Sequence, residues 1–328
     1  MSETHSTASP PRVLALSGGI GGAKLALGLY RVLPLWELAI AINTGDDFTH
    51  LGLHIAPDID TVMYTLAGEN NTELGWGRAG ESWNFMEQFA RLGGDDWFSL
   101  GDGDLGIHMR RRQLMDEGLG LGAITAQFFE AFGIHAHPWP ASDDSVRTMI
   151  ATADSRQLPF QNYFVQEQCA AEVRGFSYAG AEDAAPNTDL INALTGGNLR
   201  AVVLCPSNPF VSINPILAVP GVRDALRACT APVVAVSPIV GGAAIKGPLA
   251  KMMRELGQEA DAATVFDNYR DFLTGAVIDR ADAGQADSLG LPTLVTETVM
   301  KDLTDRENLA RAVLEFADGL AAPAREAG

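Results

Sequence analysis

Long apolar runs, paired cysteines and basic clusters are scarce in this chain, and each scarcity excludes a class of protein. No apolar run reaches the roughly 18 residues that a membrane-spanning helix needs. The three cysteines, Cys169, Cys205 and Cys229, are too widely spaced for a metal-binding pair and read as free thiols in a reducing compartment. Lysine and arginine total 23 against 41 acidic residues, a net charge of −18, which argues against broad contact with nucleic acid or anionic lipid. Motifs of covalent catalysis are missing as well: there is no Gly-x-Ser-x-Gly elbow, no His-Glu-x-x-His and no Cys–His pairing. Residues 1–11 carry no apolar signal core and, like 321–328, read as loose tails. The expected location is the cytoplasm.

What is present is the composition of a globular chain, 47% hydrophobic and 20% charged over 328 residues, enough for a sizeable core. Its organising stretch is Leu14–Leu29. A short apolar run, Val13 to Leu16, breaks into Ser17-Gly18-Gly19-Ile20-Gly21-Gly22, and a helical pattern starts at Ala23. Strand, glycine turn and helix N-terminus together offer backbone N–H groups and a positive dipole end to an anion. Lys24 adds a cation. The dinucleotide fingerprint Gly-x-Gly-x-x-Gly fails because its last position is Lys24, which disfavours a nicotinamide oxidoreductase. A P-loop fails because Lys24 follows Ala23 and precedes Leu25. Phosphate binding and tight strand–helix packing both account for the glycines.

Further buried-strand patterns end in polar turns: Leu38–Ile42 before Asn43-Thr44-Gly45-Asp46-Asp47, Ala201–Leu204 before Cys205-Pro206-Ser207-Asn208-Pro209, and Val233–Val236 before Ser237-Pro238. Helical patterns at Thr61–Leu66, Trp83–Leu92 and Ala218–Ala228 lie between them. Continuous apolar strands alternating with helices predict an α/β fold, a parallel sheet covered on both faces. Ligands in such sheets sit beyond the C-terminal strand ends, so these turns are expected to share one crevice. Ala276–Ile278 and Thr293–Val295 are further short strands, and Glu307–Leu320 is a closing helix. Residues 142–197 read differently, with short strand-like pieces at Thr148–Ala151, Tyr163–Val165 and Glu172–Phe176. We assign them to a small mixed insertion in a core formed by 12–141 and 198–320.

Acidic turns supply the candidate chemistry. Asp46 and Asp47 follow a strand, and Asp58 and Asp60 follow Pro57 at a helix start. Carboxylates from two such turns can converge on a hard divalent cation. Asp58 also suits plain helix capping, and the Asp46–Asp47 pair suits a side-chain-bonded turn. Ser99-Leu100-Gly101-Asp102-Gly103-Asp104 is followed by His108 and the basic run Arg110-Arg111-Arg112, where one arginine is a candidate for phosphate and His108 is either a base or a structural residue. Ser207 and Asn208, held between two prolines, suit hydrogen bonds to a nucleotide. Lys246-Gly247-Pro248 repeats the pairing of a lysine with a glycine turn.

In this order, Ser17–Lys24, Asn43–Asp47, Pro57–Val62, Leu100–Asp104, Pro140-Ala141-Ser142-Asp143-Asp144, Pro206–Pro209 and Val236–Ile239 resemble the 2-phospho-L-lactate transferases of coenzyme F420 biosynthesis, from about Val13 to the last helix. The resemblance implies a Rossmann-like core, a homodimer and dependence on Mg2+. It implies transfer of a phosphorylated three-carbon acid from a guanosine diphospho-ester to the ribityl hydroxyl of Fo, the deazaflavin 7,8-didemethyl-8-hydroxy-5-deazariboflavin, with release of GMP. The acid is lactyl, enolpyruvyl or glyceryl in different relatives.

By this resemblance Asp60 binds Fo, and Ser99 falls where archaeal relatives carry a lysine for the same ligand. Gly103 and Leu105 depart from the family's Asp-Arg-Asp pattern. The chemistry asks for positioning and charge stabilisation rather than an enzyme nucleophile. We therefore expect Asp46, Asp47 and Asp60 to hold the metal, with Asp47 and Asp60 catalytic. Gly18, Gly19, Gly21, Gly22 and Lys24 are expected on the donor phosphates, and Ser207 and Asn208 on the guanosine. Trp76 and Trp83 either stack on the deazaflavin or pack in the core. The alternative is a non-catalytic nucleotide-sugar-binding regulator of the same superfamily, separable by titrating Fo against a UDP-sugar.

Overall fold

In a computed structural model of the chain, residues 10–245 and 247–321 are described. Lys246 and most of both expected tails lie outside them. The elements in chain order are β1 Val13–Ser17, α1 Gly19–Val32, β2 Leu38–Ile42, β3 Phe48–His50, β4 Leu53–Ile55, α2 Pro57–Ala67, α3 Asn84–Arg91, α4 Asp102–Asp116, α5 Leu121–Ala131 and β5 His137–Pro140. Then come β6 Arg147–Thr152, β7 Gln157–Pro159, β8 Val173–Ala179, α6 Thr188–Thr195, β9 Ala201–Leu204, α7 Asn214–Ala218, α8 Val222–Ala228 and β10 Val233–Val236. The chain continues through β11 Ile239–Val240, β12 Ala243–Ala244, α9 Leu249–Glu255, α10 Ala262–Asp267, β13 Gly275–Asp279, β14 Thr293–Thr296 and α11 Leu303–Ala321.

Seven strands form the main sheet in the order β14-β13-β10-β9-β1-β2-β5, with each neighbouring pair parallel. Its central strands are apolar throughout because both faces are covered. In β1, Val13 and Ala15 face a core shared with α1, α2, α5 and α11, while Leu14 and Leu16 face one shared with α7, α8 and α9. This is the α/β architecture expected from the alternation of patterns, with the Rossmann-like core that the resemblance implies.

Two local readings are corrected, and one strand is added. The helix expected over Ala218–Ala228 is split, since α7 ends before Val219-Pro220-Gly221 and Gly221 adopts φ +83°, a left-handed turn that favours glycine. Tyr163–Val165 is one π-helical turn, Asn162–Gln166, and no strand. The edge strand β5, His137-Pro138-Trp139-Pro140, has no signal in the apolar pattern, because prolines are tolerated only at a sheet edge. Within 142–197, β6 pairs antiparallel with both β7 and β8. A third, smaller core joins Phe48, Leu53 and Ile55 of the β3–β4 hairpin to Met86 and Leu100, with Trp83, Trp97 and Phe98 against it.

Candidate functional site

From β1 the sheet extends through β2 to one edge and through β9 to the other, so β1 and β9 flank the switch point where ligands enter such folds. The turns after these strands are tied together. The Ser207 hydroxyl accepts from the Gly18 N–H at 3.3 Å and donates to the Gly18 carbonyl at 2.8 Å. Gly19 donates its N–H to Asp58 Oδ1 at 2.7 Å. Asn43, beyond β2, donates its amide to Asp58 Oδ2 at 2.8 Å, Val211 O at 3.0 Å and Asp46 Oδ1 at 3.3 Å. Its Oδ1 accepts from the Gly45 N–H at 2.8 Å. Three of the polar strand-end turns thus form one crevice wall.

Close approach explains three of the glycines. A Cβ on Gly18 would lie 2.6 Å from Asp58 Oδ2, one on Gly21 2.5 Å from the Pro206 carbonyl, and one on Gly22 2.5 Å from the Ser207 hydroxyl. Gly19 has room for a side chain but holds φ +64°, a region costly for other residues. Lys24 donates its ammonium to the Met300 carbonyl at 3.0 Å. Asn208 caps its own turn, accepting from the Phe210 N–H at 2.9 Å. Asp58, a natural helix cap by sequence, makes no capping bond to α2 and bonds the first turn of α1 instead.

Asp46, Asp47 and Asp58 are buried at 6%, 1% and 4% exposure, and among the described residues no lysine or arginine bonds to them. Burial raises Asp46 well above the usual carboxylate range, and the charge of Asp58 raises it further. Burial also pushes Asp58 up to about 6, against the bonds from Asn43 and Gly19. Asp47 is raised by burial despite His54, whose Nε2 lies 2.9 Å from its Oδ2. Its other oxygen, Oδ1, is buried without a hydrogen-bond partner among the described residues. The unmet charges and the orphaned oxygen attract a hard dication, although the three carboxylates do not themselves converge to the spacing of one metal set.

Asp60 stands in a neighbouring cluster. Arg111 on α4, only 1% exposed, donates Nη2 to Asp60 Oδ1 and Nη1 to Oδ2 at 3.1 Å. Nη1 also donates to the His54 carbonyl at 3.3 Å, so His54 links the two groups of acids. Burial works against the Arg111 charge, but Asp60 holds its pKa above the ordinary value. His108 lies 3.1 Å from Arg111 through Nδ1 and 3.2 Å from Asp104 Oδ2 through Nε2, while the Tyr64 hydroxyl donates to Asp104 Oδ1. Asp60, Asp104 and His108 are close enough for a metal set, yet the Arg111 guanidinium already supplies their cation. The expected Asp46, Asp47 and Asp60 set is therefore shared between the two groups.

Sequence reasoning singled out neither Asn43 nor His54, and left Arg111 inside a basic run. The available signal was the spacing of Asp104, His108 and Arg111, which puts all three on one face of a helix. Arg110 and Arg112 instead pair with Glu117 and Asp116 at the surface. Ser99 is exposed. Asp102 accepts from Ser82, Asn84 and Phe85, fixing the loop before α3. At Gly103 a Cβ would meet Arg78 Nη1 at 2.5 Å, so a guanidinium from another segment lies against this position.

Beside the crevice lies a cavity of about 530 Å³, lined among others by Phe48, His50, Trp97, Arg147, Met149 and Pro159. The Trp97 ring is centred 5.8 Å from Phe48 and 5.4 Å from His50. Trp76 and Trp83 are not in its lining. They meet edge to face at 6.4 Å, with Trp76 half exposed.

The profile of the family described as 2-phospho-L-lactate transferase CofD matches residues 13–315. A phosphoenolpyruvate transferase of Streptomyces griseus is 38% identical over 94% of this chain and 98% of its own. One from Nocardia farcinica is 35% identical over 97% and 98%. Among solved structures, a UPF0052 family protein of Bacillus halodurans superposes with a TM-score of 0.63 over 93% of this chain and 99% of its own. At 13% identity, that likeness speaks for the fold alone. No helix among the described residues is long and apolar enough to cross a membrane.

Proposed function

We propose, on the premise that the chain belongs to the 2-phospho-L-lactate transferase CofD family, that this transferase moves an enolpyruvyl phosphate from a guanosine diphospho-ester to the ribityl hydroxyl of Fo. GMP is the leaving group. The enolpyruvyl donor is favoured over the lactyl and glyceryl ones by the relatives named phosphoenolpyruvate transferase. The observation that carries the reading is the crevice in which the Gly18, Asn43 and Ser207 turns and Asp58 are bonded into one acidic wall.

In this reading the donor phosphates lie over Gly18–Gly22 at the start of α1, where Lys24 is the nearby cation, and the guanosine lies toward Ser207 and Asn208. Mg2+, when bound, neutralises phosphate charge and orients the attacking oxygen. Asp46 and Asp47 would hold it with Asp58 at hand, while Asp60 stays bonded to Arg111 and faces the acceptor. Arg111 takes one lone pair from each Asp60 oxygen, which leaves one on each for a further partner. The Fo hydroxyl forms the new P–O bond, the bond to the GMP oxygen breaks, and the proton passes to the Asp47–His54 pair. Catalysis rests on positioning and charge. The deazaflavin ring occupies the cavity at Phe48 and Trp97, with Ser99 at its outer side. A cytoplasmic homodimer completes the proposal.

Incubating the protein with Fo, magnesium and each three-carbon donor, and following a negatively charged deazaflavin product by mass, tests the reading. Absence of product from folded protein with every donor refutes it. Asp60→Asn is expected to remove most turnover; because it also unpairs the buried Arg111, the loss is read on protein shown folded by circular dichroism.

A further inference from the structure

Where the cavity meets the acidic crevice, the fold leaves one guanidinium without a carboxylate. Arg147 opens β6 and lines the cavity wall. Its side chain donates to the adjacent Val146 carbonyl at 2.8 Å, and among the described residues it forms no ion pair. The next residue, Thr148, donates its N–H to the Gly45 carbonyl at 2.7 Å. That bond pins the start of β6 to the loop carrying Asp46 and Asp47. Burial lowers the Arg147 pKa, and the charge of Asp47 opposes the shift, so the two groups are electrostatic neighbours. A partly desolvated guanidinium with no carboxylate partner is costly to keep. It is recovered when an anion arrives from the cavity.

We propose that Arg147 receives the carboxylate of the three-carbon acid on the donor, which makes it a specificity residue for donors that carry a free acid. The proposal rests on the transferase reading above. Such a donor bears two kinds of anion. Its phosphates are served by the α1 N-terminus and the metal. Its carboxylate is joined to the phosphorus through only one ester oxygen and one carbon, so it stays beside the crevice. There it would lie near Asp46, Asp47 and Asp58, beside the one guanidinium on that wall, Arg147, that has no carboxylate partner among the described residues. Guanidinium and carboxylate match in plane and spacing and form paired, charge-assisted bonds. The aromatic part of the cavity remains open to the ring of the acceptor.

Calorimetric titration compares the donor with its carboxamide analogue, in magnesium, on wild type, Arg147→Gln and Arg147→Lys. Arg147 is only partly buried and makes one backbone bond, so both variants should fold, which circular dichroism and melting temperature verify. Wild type is expected to prefer the carboxylate by roughly tenfold to a hundredfold, the usual span for charge-assisted hydrogen bonds. Arg147→Gln should lose that preference, and Arg147→Lys should keep part of it. KM for Fo should stay unchanged. An unaltered preference in Arg147→Gln, or a raised KM for Fo alone, overturns the proposal while leaving the transferase reading intact. If wild type binds neither donor, both fall.

Discussion

Replacing Asp58 by asparagine removes one charge from the crevice at constant size and tests whether that charge is unmet. Burial lifts Asp58 from 3.8 to about 6. A folded value raised above the unfolded one means that the neutral acid is favoured in the native state. The stabilisation from this group is complete below the unfolded value and is lost as pH rises through the folded one. From about pH 5 to about pH 7.5, metal-free wild type should lose about 1.4 kcal/mol at this group. For a chain of this size that is about 2 °C in melting temperature.

Asp58→Asn does not titrate there. Its amide mismatches one of the two donors, the Gly19 N–H or the Asn43 amide, at a cost of about 1–3 kcal/mol. That cost is the same at both pH values and cancels when the wild-type-minus-variant difference is compared across pH. Scanning fluorimetry in chelator at the two pH values reads the difference. Magnesium at about 100 times its Kd should then add about 2.7 kcal/mol to wild type at the higher pH, and less at the lower, where protons compete. A difference that stays flat or grows with pH in chelator would refute the reasoning, because Asp58 would then be stabilised as an anion within the protein itself.

Three other outcomes follow from the geometry. Arg111→Met leaves Asp60 buried without its cation and should cost about 3–5 kcal/mol, read as a lower urea midpoint; an unchanged midpoint would mean that the pair is not formed. Gly21→Ala drives a methyl into the Pro206 carbonyl and should cost about 1–3 kcal/mol together with turnover, whereas full activity at wild-type stability would dissociate the α1 and β9 turns. Trp97→Ala should raise KM for Fo by about tenfold, the scale of a lost aromatic contact, with donor KM unchanged. A change confined to the donor would move the ring out of the cavity.

Much of the fold was legible because its cause is local. Strands buried on both faces must be apolar throughout, and Val13–Leu16, Leu38–Ile42, Ala201–Leu204 and Val233–Val236 are. A parallel sheet with helices on both sides is what such runs can form when helical patterns separate them. Strand β5 escaped because its two prolines are allowed only by its edge position, which no local pattern reveals. The break at Pro220-Gly221 was readable and was outweighed by the apolar spacing around it.

The sequence by itself determined the α/β class, the turns at the strand ends and the acids that line them, because strand ends and acid-rich turns are short-range features. The tertiary structure decided which acids share a space and which are neutralised. Two residues apart on α2, Asp58 and Asp60 look equivalent in the chain. Their side chains leave the helix in different directions, one toward Gly19 and Asn43, the other toward Arg111 on a helix 51 residues away in sequence. Burial then separates them further: the first keeps an unmet charge and the second an internal counter-ion. Partnership over such distances depends on how the helices pack, and that is set only when the sheet has brought its turns together.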